Sequence, residues 1–218
     1  MKDIIDNFWP TFIGKFHNEQ HEIIKKDLIC FIDEYIKLNK SRRSHENHNL
    51  FESKYDIHNS KNENIKKLVF FFKQSFAKIA MHANQKFVST NKKKLSVNIH
   101  DMWFIKYEQG GFVLPHTHGM CSWCCVYYLQ IGHDSNVENG STFFLRPSNY
   151  PRETKDFGSK YNEGDIRKIA PTEGSMLIWP NNLSHGSLPY KGKTNRIIFS
   201  ANATIYDTSD DGKVILTP

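Results

Sequence analysis

The stretch LPHTHGMCSWCCVYYLQIG, residues 114–132, places two histidines two residues apart, directly before a run of aromatic and apolar residues. Such a run is typical of a buried β-strand. Residues i and i+2 of an extended segment project from the same face, so the imidazoles of His116 and His118 are expected to converge. A single metal ion most often requires such convergence. The alternative is a pair of surface histidines at the end of a strand.

From residue 95 onwards the sequence consists of short strand-like segments, which Gly, Asn, Pro and Asp punctuate at hairpin-like intervals. These segments cover residues 95–107, 112–118, 122–131, 141–147, 166–171, 175–180 and 196–206. Many short strands of this kind are typical of a double-sheet barrel or jelly roll.

The first 94 residues have a different pattern. Residues 8–16 are predicted to form a short strand, and residues 40–62 are polar and lack a period, which predicts a long loop. Apolar residues recur at helical spacing from Asn18 to about Asn39 and again in a second helix. The apolar stripes are Ile24, Leu28, Phe31, Tyr35 and Leu38 in the first helix, and Ile65, Leu68, Phe72, Phe76 and Ile79 in the second.

Helices first and strands afterwards predict an α+β fold that is mainly β, a jelly roll with the N-terminal helices packed on one sheet. The two helices are too short to form a domain of their own. We therefore predict one domain over residues 1–218, in which residues 1–94 are a mainly helical support region and residues 95–206 are the β core.

Composition bounds the class of protein. The chain has 218 residues, of which 39% are hydrophobic and 13% aromatic, enough for a substantial core. No run approaches the roughly 18 consecutive apolar residues that a membrane span needs. The start, MKDIIDNFWPTF, has acidic residues where a signal peptide would be apolar. We expect a cytoplasmic protein without membrane contact.

The net charge of +6 is unevenly distributed. Residues 1–94 contain 18 Lys and Arg against 11 Asp and Glu, a net +7, whereas residues 95–218 contain 11 against 12, a net −1. A basic patch can bind nucleic acid or another anionic partner. We favour the simpler interpretation of a solvated helical face.

The four cysteines are Cys30, Cys121, Cys124 and Cys125. Cys121 and Cys124 form a CxxC motif, but no second metal-binding pair follows at zinc-finger spacing. On a strand, residues three apart point to opposite faces, so we expect the two thiols to lie on different sides of the sheet. Buried structural thiols are the favoured interpretation.

Two further polar residues, His185 and Arg196, follow later in the sequence. The segment GSMLIWPNNLSHGSLPYKGKTNRIIFSAN, residues 174–202, contains a strand, a turn with His185, and Arg196 at the start of another strand. An arginine that begins so apolar a strand usually has an anionic partner, although a surface charge is the alternative.

The HTH pair, His185, and an arginine eleven residues later resemble the Fe(II)/2-oxoglutarate-dependent dioxygenases. The order HTH, CVYYL, NGSTFFLRP, EGSMLIWPNNLSHGSLP and RIIFSAN is similar to their prolyl-hydroxylase-type branch and to oxygenases of bacterial and phage genomes. The resemblance covers roughly residues 95–205. It implies a double-stranded β-helix, the cupin-like form of the jelly roll, and an enzyme that uses Fe(II), 2-oxoglutarate and O₂.

The resemblance also implies roles for individual residues. His116 and His185 would be iron ligands, and Arg196 would form a salt bridge with the far carboxylate of 2-oxoglutarate. Tyr128 would hydrogen-bond that carboxylate. Ser200 shares the face of Arg196 by strand alternation and is expected to give a second hydrogen bond, although many family members have a serine or threonine where this chain has Ile198. We also expect Tyr107 to line the pocket. Trp179 and Leu183 are expected to pack beside His185, and Asn181 and Asn182 to form the turn that positions it. No side chain beyond the metal ligands is expected to be catalytic.

His118 departs from the family pattern, because the usual set is two histidines and a carboxylate. Three interpretations follow. His118 is a true ligand in a three-histidine iron centre, or it does not bind and water or halide fills the gap, or the metal has been lost and the protein is a retired scaffold. We favour the first.

The resemblance implies hydroxylation of an unactivated C–H bond with release of succinate and CO₂. Alternatives are a non-catalytic jelly-roll binding protein, and a three-histidine dioxygenase that does not use 2-oxoglutarate. We expect a protein residue or small molecule as substrate rather than nucleic acid. Neither a particular substrate nor an oligomeric state is predicted. Residues 40–62 and 148–165 are expected to lie near the mouth of the site.

Overall fold

A computed structural model describes residues 9–42, 49–85, 94–132, 134–147, 157–158 and 164–208. Its strands are β1 (Gly14–His17), β2 (Leu50–Glu52), β3 (Leu95–Tyr107), β4 (Val113–His116), β5 (Trp123–Gln130), β6 (Thr142–Leu145), β7 (Ile166–Ile169), β8 (Ser175–Pro180), β9 (His185–Ser187) and β10 (Arg196–Asp207). Two helices, α1 (His21–Leu38) and α2 (Glu63–Ala83), precede β3, with a 3₁₀ turn (Ile57–Asn59) between them.

The strands form two antiparallel sheets. The larger has the order β1-β8-β5-β10-β3-β2, and the smaller has the order β4-β9-β6-β7. The longest pairing joins β3 and β10, from Arg196 opposite Tyr107 to Asp207 opposite Leu95. The predicted class, mainly β with a double-stranded β-helix, is confirmed.

Both helices pack on the larger sheet, where α1 contacts β5 and α2 contacts β3 and β10. The chain enters α2 at Asn62, whose side-chain oxygen accepts hydrogen bonds from the backbone N–H groups of Asn64 (2.9 Å) and Ile65 (3.2 Å). Phe72 and Phe76 of α2 are fully buried, and burial of each such ring contributes roughly 1.5–3 kcal/mol.

Among the described residues, no helix combines the length and apolarity that crossing a membrane requires.

The structure corrects several expectations for the N-terminal region. The first strand begins at Gly14, because among the described residues 9–17 only residues 14–17 pair with β8; residue 8 of the predicted strand lies outside the described residues. Leu38 is 84% exposed, since the buried face of α1 consists instead of His21, Ile24, Leu28 and Ile32. The predicted loop 40–62 contains β2 and the 3₁₀ turn, and β2 extends the larger sheet through β3.

Alternating residues of β5 divide the interior into two cores. Tyr127 and Leu129 face the helices, whereas Val126 and Tyr128 face the space between the sheets. This alternation is the ordinary consequence of strand geometry. The second core lies beside the cavity that holds the candidate site.

The prediction for the cysteine pair was wrong. Cys121 lies before β5 in a turn where Met120 has a φ of 54°, and its Sγ atom is 3.7 Å from the Sγ atom of Cys124. All four cysteines are free, but only Cys124 and Cys125 are buried, while Cys30 is exposed and Cys121 is half-buried. Because Cys121 is not on the strand, alternation does not separate the two thiols.

Candidate metal centre

Two of the histidines face each other across a strand pair. His116 ends β4 and His185 begins β9, and the two residues are direct partners in the antiparallel register. β4 is an edge strand, and the pairing is irregular between Val113 and His116, where Pro115 has no backbone N–H to donate. The register therefore brings two imidazoles, with ring centroids 4.4 Å apart, to one end of the smaller sheet.

His118 reaches the same place by a different route. β4 ends at His116, so strand alternation does not position His118 as the sequence analysis assumed. Instead, the His118 backbone N–H donates to the Asn181 carbonyl (3.0 Å), and the Asn181 side-chain amide donates to the His118 carbonyl (3.2 Å). Asn181, expected to serve the turn before His185, thus holds the loop that carries His118.

The three imidazoles offer ligand atoms that all lie within 4.8 Å of one another. The Nε2 atoms of His118 and His185 are 3.3 Å apart. Two nitrogens bound to one ion at about 2.0–2.1 Å are separated by about 3 Å, so this spacing suits a shared metal. The structure brings together all three predicted ligands.

Hydrogen bonds orient two of the rings. His116 Nδ1 lies 2.9 Å from the Leu114 carbonyl, and His185 Nδ1 lies 2.9 Å from the Leu183 carbonyl. A carbonyl only accepts, so each Nδ1 carries the proton and each Nε2 keeps its lone pair for a metal. Trp179 Nε1 is 3.1 Å from His185 Nδ1, but two N–H groups cannot bond each other, and we assign the bond to Leu183.

Burial keeps two of the imidazoles neutral. Desolvation lowers the pKa of His118 to about 4, with the neighbouring His116 contributing, and it lowers the pKa of His185 to about 3. Metal ions bind the neutral imidazole, because protonation removes the lone pair. Both residues are therefore ready to bind a cation at neutral pH.

Arg196 is 1% exposed and opens on the same cavity as the histidines. Its Nε and Nη1 atoms are buried without a hydrogen-bond partner, and the guanidinium carbon lies 4.4 Å from the ring centroid of Tyr107. A buried guanidinium with unused donors is costly unless an anion pairs with it. A carboxylate in the cavity would supply the acceptors that these donors lack.

The other residues predicted to bind the cosubstrate surround this arginine. Tyr107 and Ser200 line the cavity, which has a volume of about 250 Å³. Tyr128 is fully buried, and its hydroxyl is 2.6 Å from the hydroxyl oxygen of Thr142, which lines the cavity. Burial raises the pKa of Tyr128 to about 12, against the opposing effects of Arg196 and of the bond to Thr142, so its phenol stays protonated and able to donate.

Several residues that line the cavity were not predicted from the sequence. Trp103 lines the cavity and its ring centroid is 5.9 Å from that of His118. Alternation from Tyr107 along β3 would have identified it. Glu52 and Tyr55 also line the cavity, within the predicted loop 40–62 near the site mouth, and no local pattern marks them. The other segment expected there, residues 148–165, lies almost entirely outside the described residues.

Comparison with known proteins agrees with this geometry. Residues 101–202 match a family described as "Putative 2OG-Fe(II) oxygenase". No functionally curated protein matches the sequence.

Solved structures share the fold at low identity. A viral collagen prolyl hydroxylase from Paramecium bursaria Chlorella virus-1, solved with 2OG, is 16% identical over 88% of this chain and 94% of its own, with a TM-score of 0.53. A Pseudomonas putida prolyl-4-hydroxylase is 13% identical over 88% and 91%, with a TM-score of 0.55. The α-ketoglutarate-dependent carbocyclase SnoK from nogalamycin biosynthesis is 11% identical over 88% and 78%, with a TM-score of 0.61.

Proposed function

Residues 101–202 of this chain belong to the 2OG-Fe(II) oxygenase superfamily, and from this premise we propose that the enzyme hydroxylates an unactivated C–H bond with an iron ion held by His116, His118 and His185. The observation that carries this proposal is the cavity itself. It has three convergent imidazoles on one wall and the unpaired, buried guanidinium of Arg196 on another. A metal cation and a dianionic keto acid satisfy both groups together.

When bound, Fe(II) supplies the redox chemistry that couples oxidation of 2-oxoglutarate to succinate and CO₂ with transfer of one oxygen atom of O₂ to the substrate. The residues of the chain bind and orient. Arg196 pairs with the far carboxylate of 2-oxoglutarate, with Ser200 and the Tyr128–Thr142 hydroxyl pair beside it. The aromatic walls of Trp103, Tyr107 and Trp179 limit the entry of water.

Among the three interpretations of His118, the ligand role has the most support. Its Nε2 atom lies beside that of His185, its ring is neutral at pH 7, and Asn181 fixes its backbone. A three-imidazole site carries one more positive charge than a site with a carboxylate, which favours binding of a dianion. A dioxygenase that does not use 2-oxoglutarate would leave Arg196 without a counter-ion, so we favour it less.

We also propose a protein residue or a small molecule as substrate, a single domain over residues 1–218, and a cytoplasmic location. The four free thiols support the last point, since disulfides are rare in reducing compartments. The small volume of the cavity, about 250 Å³, suits a cosubstrate together with one reacting side chain or a small group.

Anaerobic titration with Fe(II) and then 2-oxoglutarate tests the proposal. We expect Fe(II) to bind and 2-oxoglutarate to produce a visible metal-to-ligand charge-transfer band, and admission of O₂ to release succinate. His185→Ala should abolish the band. His100→Ala is the matched control, because His100 is exposed on β3 and bonds Thr204 instead. Normal Fe(II) affinity without any response to 2-oxoglutarate would refute the cosubstrate assignment.

A further inference from the structure

The CxxC motif is a feature of the sequence that the proposed function does not use. Cys121 and Cys124 have Sγ atoms 3.7 Å apart and both are free thiols. Cys121 is half-buried and lies three residues after His118, in the turn that joins the loop that carries His118 to β5. Cys124 faces the inter-sheet core that borders the candidate site.

The two cysteines differ in how firmly they are held. Cys124 lies on an interior strand, where it is paired with Trp179 of β8 and Asn202 of β10. Cys121 lies between Met120, which is 97% exposed and has a left-handed backbone, and Ser122, whose N–H donates to the Ala203 carbonyl. If the two sulfur atoms approach each other, Cys121 and its turn therefore move, whereas Cys124 stays in place on its strand.

The geometry points to a redox switch: we propose that a peroxide converts the thiols of Cys121 and Cys124 to an intramolecular disulfide, which shifts the turn before β5 and with it the adjoining loop that carries His118. A disulfide requires an S–S distance of about 2.05 Å, so the sulfurs must approach from 3.7 Å. Since metal affinity depends on ligand placement to within roughly 0.2 Å, such a shift weakens metal binding.

The step balances with hydrogen peroxide as the oxidant. The Cys121 sulfur attacks one peroxide oxygen, the O–O bond breaks, and a sulfenic acid and one water result. The Cys124 sulfur then attacks the sulfenic sulfur, loses its proton, and displaces a second water as the S–S bond forms. Two electrons pass from the sulfurs to the peroxide, and a dithiol reductant reverses the reaction by exchange.

The environment of the pair assigns these roles. A hydrogen bond from the Cys124 thiol lowers the pKa of Cys121, whereas the same bond and burial raise the pKa of Cys124. The thiolate is the nucleophile, so the more accessible Cys121 reacts first and Cys124 resolves the product.

Thiol counting on the metal-free, full-length protein tests the disulfide. After peroxide treatment and denaturation, we expect the number of titratable thiols to fall from four to two, with peptide mapping by mass spectrometry linking Cys121 to Cys124. A dithiol reductant should restore all four. Cys30→Ser is the matched control and should still lose one pair, whereas Cys121→Ser and Cys124→Ser should lose none. Oxidation confined to Cys30, or overoxidation of Cys121 with Cys124 unmodified, would overturn the proposal.

The effect on the metal rests on the proposed function and has its own readout. We expect Co(II), followed by its visible absorption, to bind the disulfide form about 10- to 100-fold more weakly than the reduced form, the range found when the supports of metal ligands are disturbed. Peroxide should not alter Co(II) affinity in Cys124→Ser. Equal affinity in both forms of the native chain would overturn the switch. Failure of the reduced protein to bind Co(II) would instead contradict the metal centre, and the thiol count decides the disulfide independently.

Discussion

His118 occupies the position at which the usual metal triad has a carboxylate. Its imidazole is neutral, partly buried and close to His185, and these are the properties of a ligand rather than of a surface histidine. The role of this single residue therefore decides whether the centre has two or three protein ligands.

We expect His118→Ala to weaken Fe(II) binding by more than about 100-fold, beyond the effect of disturbing a group that only supports a ligand. His118→Asp should retain binding, because it restores the usual carboxylate. Anaerobic Fe(II) titration measures both. Unchanged affinity in His118→Ala would show that water or another small ligand completes the site.

We expect Arg196 to affect both the stability of the ligand-free protein and the binding of 2-oxoglutarate. Its Nε and Nη1 atoms are buried without partners, so the ligand-free protein bears the cost of desolvating them. Arg196→Met should raise the free energy of unfolding of the ligand-free protein by about 1–3 kcal/mol. The same change should weaken 2-oxoglutarate binding by about 10- to 100-fold, through loss of charge-assisted hydrogen bonds.

Urea unfolding and 2-oxoglutarate titration check the two effects. Lys106→Met is the matched control, since Lys106 lies on β3 next to this position in the register and pairs with Asp33 of α1 at 2.8 Å. A destabilised Arg196→Met protein that binds 2-oxoglutarate normally would contradict the role of the guanidinium.

At the scale of elements, β9 is a three-residue strand packed between β4 and β6. A Cβ atom on Gly186 would lie 2.6 Å from the Val113 carbonyl oxygen of β4 and 2.8 Å from the Phe143 ring of β6. The backbone of β4 cannot move away from such a Cβ atom without disturbing its hydrogen-bonded pairing with β9. Glycine at position 186 therefore keeps His185 opposite His116.

Gly186→Ala should lower the free energy of unfolding by about 1–3 kcal/mol, the usual cost of overpacking, and weaken metal binding. Gly119→Ala is the control, because a Cβ at Gly119 meets nothing within 4 Å. Denaturant unfolding and Co(II) titration on both variants measure the effects. Equal stability of the two variants would show that β9 shifts without cost.

At the scale of the whole molecule, buried and half-buried histidines couple stability to pH. Desolvation lowers the pKa of His21, His58, His118 and His185 from 6.5, to about 4 for His118 and about 3 for His185. Below 6.5 the unfolded chain therefore binds protons that the folded chain does not. The stabilisation that depends on these neutral rings is complete above about pH 6.5 and is lost as the pH falls towards 4 and below.

We expect the free energy of unfolding of the metal-free protein to decrease steadily from pH 7 to pH 4, in urea titrations with a chelator present. His185→Asn removes one titrating group and should reduce this slope, relative to a His100→Ala control in which an exposed histidine is lost. A flat profile between pH 7 and pH 4 would contradict the burial of these rings.

The sequence by itself determined the fold class and identified the three histidines and the arginine that line the cavity. Residues 95–107 and 175–180 were predicted as strands with the bounds that β3 and β8 have. Alternation and apolar runs are local properties, which each segment carries before folding. The HTH pair, His185 and Arg196 were recognised through the family resemblance, as residue types in a fixed order along the chain.

Tertiary structure alone decided how those residues are arranged. His118 is positioned by Asn181, from a loop 63 residues away in sequence. The thiols of Cys121 and Cys124 meet because Cys121 lies in the turn before β5 and not on the strand. β2 and β9 are three residues each, too short to show a period. Loop conformation depends on hydrogen bonds to distant backbone groups, and no local pattern in the chain encodes those partners.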